Sequence, residues 1–167
     1  MKKKGAEILW ECLVREGVEV VFGYPGGANM PIYDAMLNYP VHHVLVRHEQ
    51  GAAHMADGYA RASGKVGVAM ATSGPGATNL VTGICTAMMD SVPVVAITCQ
   101  AGSQPAGAKA DPVVDITGVV LPVTKHRYLV ERAEEVVPAT REALALATCG
   151  RPGPVLLDLT EAAQLGR

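Results

Sequence analysis

Short apolar runs recur along this chain, each separated from the next by enough residues for a turn and a helix, and that alternation constrains the fold more than any other feature. Residues 18–22, 41–46, 66–71, 94–98, 123–130 and 154–159 each read as a strand. Helical patterns lie between them. Residues 5–16 place Ile8, Leu9, Cys12 and Leu13 on one stripe, and residues 30–38 form a second helix. A helix rich in small residues begins near Glu49, and another runs to about Met89 with Leu80, Val81, Ile84 and Met88 on one face. Residues 134–148 set Val136, Val137, Thr140, Leu144 and Ala147 inward, and residues 113–119 read as a short helix. Residues 101–111 have no periodicity and read as a loop. Strands that alternate with helices pair in parallel through right-handed crossovers. Strands that are apolar throughout belong to a sheet covered on both faces. The expected fold is therefore α/β: a parallel sheet of about six strands with helices on both faces, forming a single domain over residues 1–167.

Where the glycines fall says where a ligand would meet this sheet. The turn after the first strand is Gly23-Tyr24-Pro25-Gly26-Gly27-Ala28, and the turn after the third is Thr72-Ser73-Gly74-Pro75-Gly76-Ala77. The turn after the second carries Arg47-His48-Glu49-Gln50-Gly51, and the fourth strand ends at Thr98-Cys99-Gln100. In a parallel sheet all four lie at one edge, outside the carboxyl ends of the strands, where ligands bind in open α/β folds. Residues without side chains let a ligand approach the backbone there.

Composition narrows the function classes. A chain of 167 residues can bury about 70% of its unfolded surface. With 49% hydrophobic and 18% charged residues, much of it is buried or covered by a partner, and a symmetric dimer is the expected form. A net charge of −2 gives no reason to expect nucleic acid, and Lys2-Lys3-Lys4 reads as a solvated terminus. The cysteines (Cys12, Cys85, Cys99, Cys149) form no Cys-x-x-Cys pair, which argues against zinc or a disulfide framework; the three in predicted helices or strands read as small buried hydrophobes. No apolar run approaches the ~20 residues of a membrane span. Glu7 and Glu11 interrupt any signal-peptide core, so a reducing cytoplasm is expected.

Single residues leave alternatives open. Glu49 reads either as a carboxylate favoured by the dipole of the helix it begins, or as a ligand-facing acid at the sheet edge. His48-Glu49-Gln50-Gly51-Ala52 ends in alanine, so it is not the His-Glu-x-x-His of a metalloprotease. Gly74-Pro75-Gly76-Ala77-Thr78-Asn79 has asparagine where a dinucleotide fingerprint needs its third glycine, and reads as a tight turn whose amides could hold an anion or a polar ring substituent. His42, His43 and His54 lack metal-ligand spacing and read as surface or packing residues. Arg151 reads as part of a rigid turn into the last strand, or as a phosphate clamp.

Together the segments say more than any one does. Tyr24-Pro25-Gly26-Gly27-Ala28, Arg47-His48-Glu49-Gln50-Gly51, Asp57-Gly58-Tyr59-Ala60-Arg61-Ala62-Ser63-Gly64, Thr72-Ser73-Gly74-Pro75-Gly76-Ala77-Thr78-Asn79, Thr124-Lys125-His126 and Gly150-Arg151-Pro152-Gly153-Pro154-Val155 occur in that order. The series resembles, over nearly the full chain, the N-terminal pyrimidine-binding (PYR) domain of acetohydroxyacid synthase (acetolactate synthase), a thiamine diphosphate-dependent family. The resemblance implies that Glu49 hydrogen-bonds N1′ of the aminopyrimidine, sharing a proton so that the 4′-nitrogen can take the C2 proton of the thiazolium. It implies that Tyr24, Pro25, Gly26, Thr72, Pro75 and Asn79 line the cofactor, that Gly27 lies near the reacting centre, and that Arg151 contacts FAD. It further implies a small 2-keto acid substrate, a homodimer through PYR–PYR packing, and a diphosphate-binding domain or subunit that holds Mg²⁺. The Gly-Asp-Gly motif of that domain does not occur in this sequence.

Three departures lie on the substrate side. Ala101-Gly102 stands where the family has Val-Pro, Gly107-Ala108-Lys109-Ala110 where it has Asp-Ala-Phe-Gln-Glu, and Glu161 where it has lysine. They keep two other readings open: the PYR subunit of a split sulfopyruvate or phosphonopyruvate decarboxylase, and a non-catalytic binding or assembly module.

Overall fold

Every strand of the sheet runs the same way. The computed structural model describes residues 2–100 and 114–167. In chain order the elements are α1 (Gly5–Arg15), β1 (Val20–Gly23), α2 (Met30–Met36), β2 (His42–Leu45), α3 (Glu49–Ser63), β3 (Gly67–Met70), α4 (Pro75–Asn79), α5 (Val81–Asp90), β4 (Val94–Gln100), α6 (Ile116–Val119), β5 (His126–Val130), α7 (Ala133–Thr148), β6 (Val155–Thr160) and α8 (Glu161–Leu165). The six strands stand in the order β2-β1-β3-β4-β6-β5, all pairs parallel. The expected α/β fold with a six-stranded parallel sheet is the one observed. The loop expected at 101–111 and Val113 lie outside the described residues.

Alternate strand residues feed two separate apolar layers. Val95, Ile97 and Cys99 of β4 join Leu9, Trp10, Leu13 and Ile32 under α1, α2, α7 and α8. Val94 and Ala96 join Ala52, Ala53, Ala56, Leu80 and Ile84 under α3, α4 and α5. The first layer is built from large side chains and the second largely from alanine. In the second layer two glycines let α3 come close: a Cβ at Gly67 would lie 2.0 Å from the Ala56 carbonyl oxygen, and one at Gly83 would lie 2.4 Å from Ala53 Cβ. Arg61 of α3 ties this side together, pairing with buried Asp57 at 2.6 Å and with Asp90 at the end of α5 at 2.6 Å. Helix α3 ends at Gly64, whose φ of 72° suits a left-handed C-cap.

Several sequence expectations shift. The core face of α1 keeps Leu9, Cys12 and Leu13 as expected and adds Ala6 and Trp10, while Ile8 is only half-buried. Trp10 is fully buried and its Nε1 donates to the Ile32 carbonyl at 2.7 Å, locking α1 to α2. Val137, expected inward, is 42% exposed. The helix expected to run to Met89 is two pieces that bend at Leu80. The strand expected at 123–130 begins only at His126, because Leu121–Val123 forms a 3₁₀ turn around Pro122. Of the three cysteines expected to be buried, Cys12 and Cys99 are, and Cys85 is half-buried. His42 and His54 are exposed, and His43 packs edge-on to Tyr33 with Nε2 at 3.1 Å from its hydroxyl. Helix α8 is an addition that periodicity does not reveal.

The close approach of α3 to β3 gives a direct test. Gly67→Ala drives a methyl into the Ala56 carbonyl and is expected to lower the unfolding free energy by about 3 kcal/mol, read by urea denaturation. A loss below the scatter of the measurement would show that α3 can move away freely.

Candidate functional site

Strand register gathers the candidate residues. Gly23 is level with Leu45 and with Met70, and Met70 is level with Ile97, so β1, β2 and β3 end together. Strands β4 and β6 continue to the pair Gln100 and Thr160 and stand above that edge as a wall.

After β1 the chain passes exposed Tyr24 and Pro25 into a tight turn. Asn29 closes it: the Gly26 amide donates to Asn29 Oδ1 at 2.7 Å, and Asn29 Nδ2 donates to the Tyr24 carbonyl at 3.4 Å. The Ala28 amide donates to Thr72 Oγ1 at 3.3 Å, which joins this turn to the one after β3. A Cβ on Gly26 would lie 2.6 Å from Thr72 Cβ, so only glycine fits against Thr72 there. Gly27 has open space around it.

After β2, His48 caps α3, its ring Nδ1 accepting the Gln50 amide at 3.1 Å. Glu49 is the first residue of that helix and is half-buried. Asn79, at the end of α4, donates from Nδ2 to Glu49 Oε2 at 2.9 Å. A Cβ on Gly76 would lie 2.7 Å from Thr72 Cγ2 and 3.2 Å from Glu49 Oε1. Gly74 (φ 60°) makes the turn into α4, and Pro75 starts that helix in an exposed position. Tyr24, Pro25, Gly26, Gly27, Glu49, Thr72, Pro75 and Asn79 thus belong to three adjacent turns at one edge. What they form is a half-buried carboxylate with one oxygen held by an amide and the other beside bare backbone.

Arg151 does not join them. Its Nε donates to Ser91 Oγ at 2.7 Å, and its Nη2 reaches the Met88 and Met89 carbonyls at 3.4 and 3.3 Å. It therefore closes the carboxyl end of α5, at the start of β6 and the opposite edge of the sheet. Lys125 does the same for α7, donating to the carbonyls of Leu146 and Cys149.

Comparison with known proteins places the chain in a family. Residues 3–119 match the family described as thiamine pyrophosphate enzyme, N-terminal TPP binding domain. The chain belongs to that family. It is 52% identical over 163 residues to a probable acetolactate synthase large subunit of Methanocaldococcus jannaschii, covering 98% of this chain and 28% of that protein. It is 53% identical over 161 residues to the acetolactate synthase isozyme 2 large subunit of Escherichia coli, covering 96% of this chain and 29% of that one. An acetolactate synthase of Arthrospira platensis is 56% identical over 159 residues, covering 93% of this chain and 28% of its own length. This TPP binding domain therefore spans under a third of the length of these curated relatives.

Three polar residues of this TPP binding domain escape sequence reasoning. Asn29 and Gln164 are fully buried and hold the turn after β1, and Asp158 is fully buried in β6. Asp158 Oδ1 accepts from Thr98 Oγ1 at 2.7 Å and Oδ2 from Gln100 Nε2 at 2.5 Å, so it braces the wall. The signal for Asp158 is a lone carboxylate in an otherwise apolar run. Burial pushes its carboxyl above the ordinary range, with the Asp115 charge adding to the rise and the two donors opposing it.

The folded protein thus holds the Asp158 proton more tightly than the unfolded chain. Its contribution is fully present below the unfolded value of about 3.9 and is lost as pH rises through the folded value. Relative to Asp158→Asn, the native protein is expected to gain stability as pH falls from 7 toward 4, measured by urea denaturation at each pH. A difference that stays flat over that interval would refute the assignment.

Proposed function

We propose that this chain is the pyrimidine-binding module of a thiamine diphosphate-dependent enzyme of the acetolactate synthase type. Such an enzyme decarboxylates a small 2-keto acid and joins the remainder to a second one. The observation that carries the reading is the half-buried carboxylate of Glu49, set at the glycine-turn edge with Asn79 donating to Oε2.

The residues fit the cofactor's flat ring. Gly26 and Gly76 let their two turns close onto Thr72, and Glu49 Oε1 lies beside Gly76 as an acceptor for a ring nitrogen. In this role Glu49 would accept from N1′ and share a proton with it, and Asn79 steadies the carboxylate by donating to Oε2. Tyr24, Pro25 and Pro75 line the rim, Thr72 sets the spacing of the two turns, and Gly27 opens toward the reacting centre. When bound, thiamine diphosphate supplies an acidic carbon that adds to keto carbonyls.

The diphosphate and Mg²⁺ belong to a separate domain or subunit in this reading. Among the described residues no group of three or more His, Cys, Asp or Glu could hold a metal ion, and the relatives have room for a further domain. A PYR–PYR homodimer would cover apolar side chains that stand exposed on one face of the monomer, such as Met55 of α3 and Met89 of α5. FAD held through Arg151 would sit across the sheet from the pyrimidine end, because that guanidinium caps α5. No helix among the described residues is long and apolar enough to cross a membrane.

In the enzyme assembled with its diphosphate-binding domain, Glu49→Gln is expected to lower kcat on pyruvate by about 10²- to 10⁴-fold, since the amide cannot share a proton. An unchanged rate would remove Glu49 from the chemistry. The chain alone is expected to form no acetolactate from pyruvate, Mg²⁺ and thiamine diphosphate.

A further inference from the structure

The turn that carries Gly27 is fastened from a third direction, by a residue far away in sequence. Gln164 lies on α8 and is wholly buried. Its Nε2 donates to the Ala28 carbonyl at 2.9 Å and to the Leu159 carbonyl at 3.4 Å. Its Oε1 is buried with no partner among the described residues. The neighbours decide the orientation of this amide. Both groups within reach of Nε2 are backbone carbonyls, so a flipped side chain would set oxygen against oxygen. The fold accepts a buried acceptor without a donor in order to keep a donor on Ala28.

That donor completes the fastening of the turn. Thr72 holds the Ala28 amide, Asn29 holds the Gly26 amide, and Gln164 holds the Ala28 carbonyl. Gly27, between the fastened residues, is exposed and meets open space. Helix α8 cannot give way easily itself: a Cβ on Gly5 would lie 1.8 Å from the Ala163 carbonyl oxygen, and the Gly5 amide donates to the Gly166 carbonyl at 2.9 Å. The link thus runs from α1 and α8, on one face of the sheet, to the turn that Thr72 joins to the one beside Glu49.

We propose that Gln164 is a positioning residue: from α8 it fixes the backbone of Gly27 relative to Glu49. The inference rests on reading that edge as the cofactor site, and its test separates the two. Gln164→Met keeps the length of the side chain and removes the donor. In the full chain, amide hydrogen exchange over residues 26–29 is expected to quicken by about tenfold or more while α5 stays protected. Unchanged exchange at 26–29 would overturn the clamp, whatever the site does.

In the assembled enzyme, well below the melting temperature, Gln164→Met is expected to lower kcat on pyruvate. Gln164→Glu is expected to recover turnover as pH falls, because only a protonated carboxyl can donate to the Ala28 carbonyl. A pH profile parallel to that of the native enzyme would overturn the positioning role, and this readout does not depend on the Met variant folding well. Faster exchange with unaltered turnover also overturns that role. If Glu49→Gln is silent as well, it is the cofactor reading of the edge that has failed.

Discussion

Parallel register is the constraint on which the rest of this protein depends. With Gly23, Leu45 and Met70 level across β1, β2 and β3, three turns from distant parts of the chain must emerge side by side. Everything at the edge follows from that. Thr72 can hold both glycine turns apart, and Asn79 can reach the carboxylate of Glu49, only because their strands stop at the same height. The longer β4 and β6 then supply a wall braced by Asp158 without displacing the turns.

The two edges of the sheet divide the work. At the carboxyl edge, glycines let turns close onto Thr72, and polar side chains bond from one turn to the next. At the amino edge, Lys125 and Arg151 place cations on the carbonyls that α7 and α5 leave unpaired, favourable both as hydrogen bonds and toward the helix dipoles. Arg151, which the sequence offers as part of a rigid turn into the last strand or as a phosphate clamp, here closes the end of α5 from a turn that precedes a strand rather than following one.

Much of the fold was legible because the central strands are mostly apolar and the longer helices between them show a period. The edge was legible for the same reason: once strands are parallel, turns that follow them share a side. What could not be read was set by pairings across long stretches of chain. Trp10 belongs to the core face of α1 only because α2 presents the Ile32 carbonyl to it. Residues 161–165 are too few for periodicity and follow β6 without a turn signal, so α8 and its Gln164 stay hidden. Asn29 is an ordinary turn residue until the Gly26 amide and the Tyr24 carbonyl are seen on either side of it. The bend at Leu80 breaks one apolar face into two helices, and a continuous stripe does not show it.

The unequal filling of the two apolar layers has a consequence for how this domain can evolve. Under α3 and α5 the methyl groups of Ala52, Ala53, Ala56, Ala69 and Ala96 have no rotamers to adjust and no atoms to spare. Under α1 and α7, side chains such as Trp10, Leu13 and Ile97 fill their space by bulk. Mutational drift should therefore be lopsided: the alanine side of the sheet tolerates neither trimming nor growth, while the other tolerates reshaping but not loss. A lineage could then retune its large-residue side freely and still inherit the alanine side almost letter for letter.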